Sequence, residues 1–585
     1  MTTVDPITLV EIDGNVQGTS STSNDITLGT KSFTLDRSEP FFKGQSVEVR
    51  NNNGDIQQAT VLNLVDLTLV VEFTSISGSG TYSDWVIDGE RTIYLGTSTY
   101  VSKRTDTPAL TDYIGALKNA GDIKQYMYNF GRTFGNSRAS RGDIIINNED
   151  GQFDFIRKMG FKRGSLRIKQ VKDNLSELPT ETIFAGTVVF PEVSFNKVIF
   201  RISDRLGDLD RPAQEALFDG SNAGPTGIEG TEDDIKGDVK PFSLGGEILN
   251  VRATLVNSST LIYGLNFDYD GNTAAISSVA GVYDEGLALN FNADYADLVA
   301  LQAATVGPGN YATCLAEGLI RLHATPNGVV TVDYTEATRT GADIVKNLIE
   351  RLGFTSGDYL NQSFIDVDAA NSDPQEVYID NKATVLEIAN EIMAGMGGYI
   401  ISNVDNQIEV GLLLDPATQT SLATFDKWTT IDLKTLESRD PGKGIPPKQV
   451  NLSYRENYYP MSDSEFAGAT TDARRLFLRE RYRVSEGLVN ENVDRKHANA
   501  PIFDIVSKFV DVNDAASERA RQELLRQEER NFYTFRTSET TPLDLGDVIT
   551  IQNDERFDLT DGLKVVIMGK EINFARSTVT YTVWG

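Results

Sequence analysis

Cysteine and histidine are nearly absent from this chain. One cysteine, Cys314, stands in 585 residues, which excludes an intrachain disulfide, a cysteine-based zinc site and a cysteine-ligated iron–sulfur cluster within one chain. It lies in YATCLAEGL between apolar neighbours, the setting of a buried thiol rather than a nucleophile. Of two histidines, His323 lies in RLHAT and His497 in DRKHANAP. Neither sits in a nucleophile elbow, and a Ser/His/Asp triad would have only these two to draw on. No Walker loop or dinucleotide fingerprint occurs, and no apolar run approaches the roughly 18 residues of a membrane helix. The opening MTTVDPITLVEIDG has no basic region ahead of an apolar core, so no secretory signal is expected.

Basic residues are outnumbered. Asp and Glu total 84 against 54 Lys and Arg, a formal net charge of -30 and a pI near 4.5. Such a surface repels nucleic acid and argues against sequence-specific DNA or RNA binding, while remaining compatible with a conduit through which DNA slides. Proline (18) is scarce beside glycine (49). Asn, Asp, Ser and Thr crowd between short apolar runs, the composition of many strands joined by turns.

Length alone calls for several domains, and the expected class is a β-rich α+β multidomain protein. Its parts would be several small β-barrel or sandwich domains with a few short helices. ITLVEID and RTIYLGT read as strands of one sheet, so residues 1–13 with 90–212 form a first β-domain. A compact β module, 14–89, is inserted between them, with Tyr82 and Trp85 as its expected core and Phe41, Val47 and Val49 on the opposing face. Residues 213–335 form a central domain with a preceding loop, 208–240 being rich in Gly, Asp and Pro. An α+β domain follows at 336–440, and a C-terminal β-domain at 441–585.

Helices are expected at 341–352, 384–396 and 514–530, the last with Ala516, Ala520 and Leu524 on its apolar side and a solvated coat of charge. A helix-like segment is expected at 294–304, and a hairpin around 404–406. The closing Trp584 is expected to be exposed.

Among possible chemistries, 84 acidic residues guarantee some paired carboxylates, as a cell-wall hydrolase would need. FDYDGN (267–272) and DVDAANSDPQE (366–376) resemble calcium loops loosely and read as turns; the second has Ala370 at the fifth loop position. Arg141-Gly142-Asp143 spells an adhesion tripeptide at the start of an expected strand. Tyr458-Tyr459-Pro460 and Phe532, Tyr533 and Phe535 suit either sugar stacking or packing. The residues themselves assign no catalytic, cofactor or metal site.

One stretch organises the rest: KPFSLGGEILNVRATLV, LIYGLNF, VAGVYDEGLAL, DYADL, GPGNYATCLAEGLIRL and PNGVVTVD, all within 240–333. It resembles the tail-tip or baseplate hub proteins of long-tailed bacteriophages. GRTFGNSRASRGDIIINNEDGQFDF and RISDRLGDLDRPAQ resemble the N-terminal β region of the same proteins, and GSGTYSDWVID is similar to small β modules inserted in virion proteins. The resemblance covers most of residues 1–440; PLDLGDVITI and GLKVVIMGKEINF fit more weakly.

It implies a non-enzymatic virion protein at the tail tip, assembled in the host bacterial cytoplasm. The hub would be a homotrimer lining a DNA channel, beside the distal tail protein, the tape measure protein and fibre or receptor-binding proteins. Tyr283, Tyr295 and Tyr311 are the expected inter-subunit anchors. Two other readings stand beside it: a host-surface adhesin or carbohydrate-binding tail protein using 14–89 as its contact domain, and a cell-wall hydrolase.

Overall fold

The computed structural model describes residues 7–161, 164–171, 180–222, 227–538, 543–553, 557, 559–574, 576 and 578–585. The first six residues of the expected first domain, and 223–226 of the loop before the central domain, lie outside them. The chain is β-rich, with several sheets and short helices, the class expected from composition. No helix among the described residues is long and apolar enough to cross a membrane.

The first strand sets the N-terminal architecture. Ile7–Ser20 runs fourteen residues and pairs antiparallel with Trp85–Gly96, from Leu9 opposite Gly96 to Ser20 opposite Trp85. Both strands cross the positions of Gly14 and Gly89 without a break. Gly14 lacks a side chain for a local reason: a Cβ there would lie 2.7 Å from the methyl of Met159 and 2.8 Å from the Phe161 ring. Further strands complete an eleven-stranded sheet that runs without interruption through residues of 14–89 and of 90–212.

At the centre of the module Trp85 is buried, its ring 5.6 Å from Phe33 in a T-shaped contact. Its indole N–H donates to the carbonyls of Thr22 and Tyr82, both at 3.0 Å. Tyr82 stands at the margin, half-buried and 6.1 Å from Trp85. Phe41, Val47 and Val49 are buried in the same cluster. Arg141–Asn147 forms a strand with Ile144 and Ile146 inward, as the alternation requires.

The C-terminal sheet takes in a strand from the N-terminal region. Asp122–Tyr126 pairs with Leu559–Asn573 inside the C-terminal sheet, and one hydrophobic cluster runs from the module to Val583. Trp584 is buried, contrary to expectation: it pairs with Phe532 and Val566, and the Arg530 guanidinium lies 5.2 Å from its ring.

The helices Gly341–Arg351 and Val385–Gly395 match their apolar spacing. The second opens on a capping box: the Glu387 N–H donates to Thr384 Oγ1 (3.3 Å) and the Thr384 N–H to Glu387 Oε2 (2.9 Å). Thr384→Ala removes the side-chain acceptor and is expected to cost about 1 kcal/mol, read as a lower urea midpoint. The expected hairpin is present as Gly398–Ser402 and Ile408–Leu412, with Asn406 at φ 59° in its turn.

Four further expectations fail for identifiable reasons. Residues 366–370 are helical, within Asn361–Ala370, because Phe364 and Val367 share a buried face. The segment 294–304 is strand at Asn290–Asp294, and helix only at Leu298–Ala303 after the Asp297 cap. The stretch 208–240 is no simple surface loop: Gln214 is fully buried, and Phe218 packs 5.3 Å from Phe267.

The fourth is the helix Val512–Arg526, which turns a polar face inward. Ala520 and Leu524 face solvent, while Glu518, Gln522 and Arg526 are buried. Gln522 Nε2 donates to Glu518 Oε1 (2.7 Å), Arg526 Nε to Gln522 Oε1 (2.8 Å) and Arg526 Nη1 to Thr133 Oγ1 (2.7 Å). Satisfied ladders of this kind make a polar face packable. Leu524→Glu should therefore change thermal stability by less than about 0.5 kcal/mol.

Candidate functional site

One polar cluster joins the central stretch to the chain that follows it, and a second lies beyond it among the later segments. The first starts at Asn250. The strand Glu247–Arg252 slips register between Ile248 and Val251 against Val330–Thr335, and Asn250 takes φ 53°, a conformation Asn tolerates better than other side-chain-bearing residues. The bulge turns Asn250 out of the ladder. Its N–H donates to Asp333 Oδ1 (2.7 Å), and its side-chain amide donates to Asn457 Oδ1 (2.8 Å) and to the Tyr459 carbonyl (2.6 Å).

Arg474, on the helix Asp472–Arg479, reaches the same point. Its Nη1 donates to Asp333 Oδ2 (2.8 Å), and its Nη2 to Asp333 Oδ1 (3.3 Å) and Asn250 Oδ1 (3.2 Å). The guanidinium lies 3.7 Å from the centre of the Tyr283 ring. Asn457 completes the clasp by donating to the carbonyls of Phe477, Leu478 and Glu480.

The second cluster holds two buried carboxyls. Glu456 accepts from Lys508 Nζ (2.6 Å), Arg481 Nη2 (2.9 Å) and the Tyr482 hydroxyl (3.0 Å). Burial would raise it, but Lys508, Arg481 and Tyr482 together hold it below its ordinary value. Glu376 is fully buried, and neither carboxyl oxygen has a hydrogen-bond partner among the described residues. Burial first, and the Glu456 charge second, push it well above the usual carboxylate range.

One protonated and one ionised carboxyl is the pattern of an acid/base pair. Here both are sealed at 0% and 1% exposure. The open cavity beside them is lined by Leu249, Asp333, Arg455 and Arg474 and reaches neither Glu376 nor Glu456. The geometry makes this pair a joint between segments.

The expected anchors occupy three different settings. Tyr311 is buried in its own chain's core, 5.7 Å from Phe291. Tyr283 is half-buried under Arg474, and burial, then Asp333, pushes its phenol up to about 12. Tyr295 is half-buried against the cluster of Phe218, Val256 and Leu301. Cys314 is buried, and burial pushes its thiol up to about 11, the behaviour of an inert thiol.

The remaining candidates are dispersed. His323 is exposed, with Nδ1 2.5 Å from the Val306 carbonyl, and His497 Nε2 lies 3.0 Å from Glu529. Asp268 closes its own turn on Asn272. Arg141–Asp143 is fixed in a strand paired to Arg201–Ser203. Tyr458 packs 5.4 Å from Tyr378, and Phe532, Tyr533 and Phe535 lie in the core, so packing accounts for all four rings.

No family model matches the chain, and no curated protein matches it. Among solved structures, a tail protein from Neisseria meningitidis MC58 aligns at 10% identity and a TM-score of 0.36, over 81% of this chain and 93% of that one. The 43 kDa tail protein of prophage MuSo2 from Shewanella oneidensis aligns at 10% and 0.36, over 81% and 95%. An E. coli component of the type VI secretion system aligns at 9% and 0.30, over 80% and 73%. Likeness at these scores does not establish a common fold.

Proposed function

We propose that the chain is a structural virion protein of a phage tail tip, a hub that joins the tail tube to tip proteins. The sequence resemblance over 240–333 motivates the reading, and one feature of the surface carries it. The strand Ile431–Leu436 pairs with Phe532–Thr537 on one side and forms one edge of the C-terminal sheet among the described strands, the short strand Thr424–Phe425 forming the other. Next to this edge in sequence, Leu422, Trp428 and Ile431 are exposed, Trp428 at 83%. An open edge flanked by apolar side chains is covered in an assembled state or invites aggregation.

In this reading the hub is a homotrimer, neighbours cover that edge, and the acidic surplus lines a channel that DNA passes without being held. The distal tail protein, the tape measure protein and fibre or receptor-binding proteins are the neighbours, with Tyr283 and Tyr295 near the contacts. The protein is not an enzyme. Antibody labelling of purified particles in the electron microscope should mark the tail tip. Finding the chain only in infected-cell extracts, never in particles, would overturn the proposal.

A further inference from the structure

We infer that the outer face of the inserted module binds a short oligosaccharide that is rich in hydroxyls and carries no acid group. The site is an open groove of about 1070 Å³ lined by residues of 15–94 together with Lys158 and Gly160, and the inference does not depend on the hub role.

Strand register builds the groove floor. Gln17 stands opposite Asp88, Asp88 opposite Glu48, and Glu48 opposite Gln58. Four adjacent strands therefore present an amide, two carboxylates and an amide in one straight row. Three inter-strand spacings make that row about 14 Å long, enough for a short oligosaccharide rather than a single sugar. One row further, Asn15 stands opposite Glu90. At the rim, Phe42 is exposed and Tyr94 half-exposed.

The row is oriented before any ligand arrives. Gln17 Nε2 donates to Asp88 Oδ1 (2.7 Å) and Gln58 Nε2 to Glu48 Oε1 (2.9 Å). Each amide keeps a carbonyl and a second N–H for another partner, and each carboxylate keeps an oxygen. Asp88 and Glu48 are like charges placed directly opposite on neighbouring strands, an arrangement that lowers sheet stability. The one cation within 4 Å of the two among the described residues is Arg50, 3.9 Å from Glu48. Sugar hydroxyls donate and accept at once, so a vicinal diol can donate to the free carboxylate oxygens and accept from the amide N–H groups. Phe42, with the Arg91 guanidinium 5.6 Å from its ring centre, and Tyr94, in T-shaped contact with Tyr113, each keep part of a ring exposed for the apolar side of a pyranose.

Charge selects the class. Glu48, Asp88 and Glu90 outnumber Arg37 and Lys158 along the groove, which disfavours phosphate-rich and uronate polymers. Neutral and amine-bearing sugars meet no such barrier.

The test uses the full chain on an array of neutral, amine-bearing and acidic oligosaccharides, followed by calorimetric titration of the strongest binder. Binding is expected among the neutral and amine-bearing members. Asp88→Asn and the pair Gln17→Ala with Gln58→Ala should each weaken it at least tenfold, with the melting temperature not lowered in Asp88→Asn, which relieves the repulsion from Glu48. Hydrogen exchange at residues 46–48, 58 and 88–90 should slow with the sugar bound. No binding in those two classes, a preference for acidic sugars, binding undiminished in the variants, or protection elsewhere on the chain would each overturn the inference.

Discussion

Replacing Arg474 with alanine is expected to release the central unit from the rest of the chain, at a cost of about 3–5 kcal/mol. Asp333 and Arg474 are 9% and 15% exposed at the side chain, so removing Arg474 leaves a nearly buried charge with no cation beside it, held by the Asn250 N–H and the Tyr283 hydroxyl. The same change strips the cation from the face of Tyr283 and an N–H from Asn250. Arg474→Lys should recover little, because an ammonium cannot donate to both Asp333 oxygens and to Asn250 in one plane.

A chain with several cores need not unfold in one step, so the measurement should be local. Amide exchange in Ser278–Asp284 and Val330–Thr335, which meet in the sheet beneath the clasp, should accelerate in the variant. Exchange in Ile7–Ser20 should not change. Equal acceleration in both regions would mean that Arg474 supports the whole fold rather than this joint. If the paired change Arg474→Met with Asp333→Asn restored slow exchange, the loss would be traced to the stranded charge and not to missing volume.

The contrast between what the residues announced and what they concealed follows from range. The strand begun at Asp143 and the apolar stripes of 341–352 and 384–396 are local patterns, and the structure contains each, to within a residue or two at their ends. The clasp is not local. Asn250 bonds to Asn457, Asp333 to Arg474, and Glu456 to Lys508, and no spacing rule links such distant positions. One hint was present: Asn250 interrupts the apolar run of EILNVR, where an unpaired amide would be costly.

The helix Val512–Arg526 failed for a related reason. Its apolar residues suggested a core face, yet its polar residues found buried partners in one another and in Thr133. Local hydrophobicity describes which face can be buried without partners, and Arg526 had one on a distant segment. Phe218 and Trp584 erred in the other direction. Flanking Gly and Asp, or the end of the chain, suggested exposure, while a single large ring supplied enough apolar area to hold its segment down.

Glu376 should make the protein less stable as pH rises, and Glu376→Met should remove that dependence. A carboxyl whose folded value lies above its unfolded one binds its proton more tightly when folded. Its contribution is therefore best retained below the ordinary carboxylate value and lost as pH climbs toward the folded value. Asp204 and Asp547, both pushed up to about 6, and Glu409, pushed up to about 7, act in the same sense, burial being the leading cause in each. Glu456 acts oppositely, but only in acid: its depressed value means that its contribution fades as pH falls below the ordinary carboxylate range.

Stability should accordingly decline from about pH 5 to pH 8. Methionine at 376 keeps the volume while eliminating both unpartnered oxygens, and should stabilise the chain by about 1–3 kcal/mol at pH 8, with less gain at pH 5. Urea unfolding at the two pH values reads the difference directly. A gain of equal size at both would show that packing alone is responsible. A loss at pH 8 would show that Glu376 is charged and held by a partner, contradicting the burial of two unpaired oxygens.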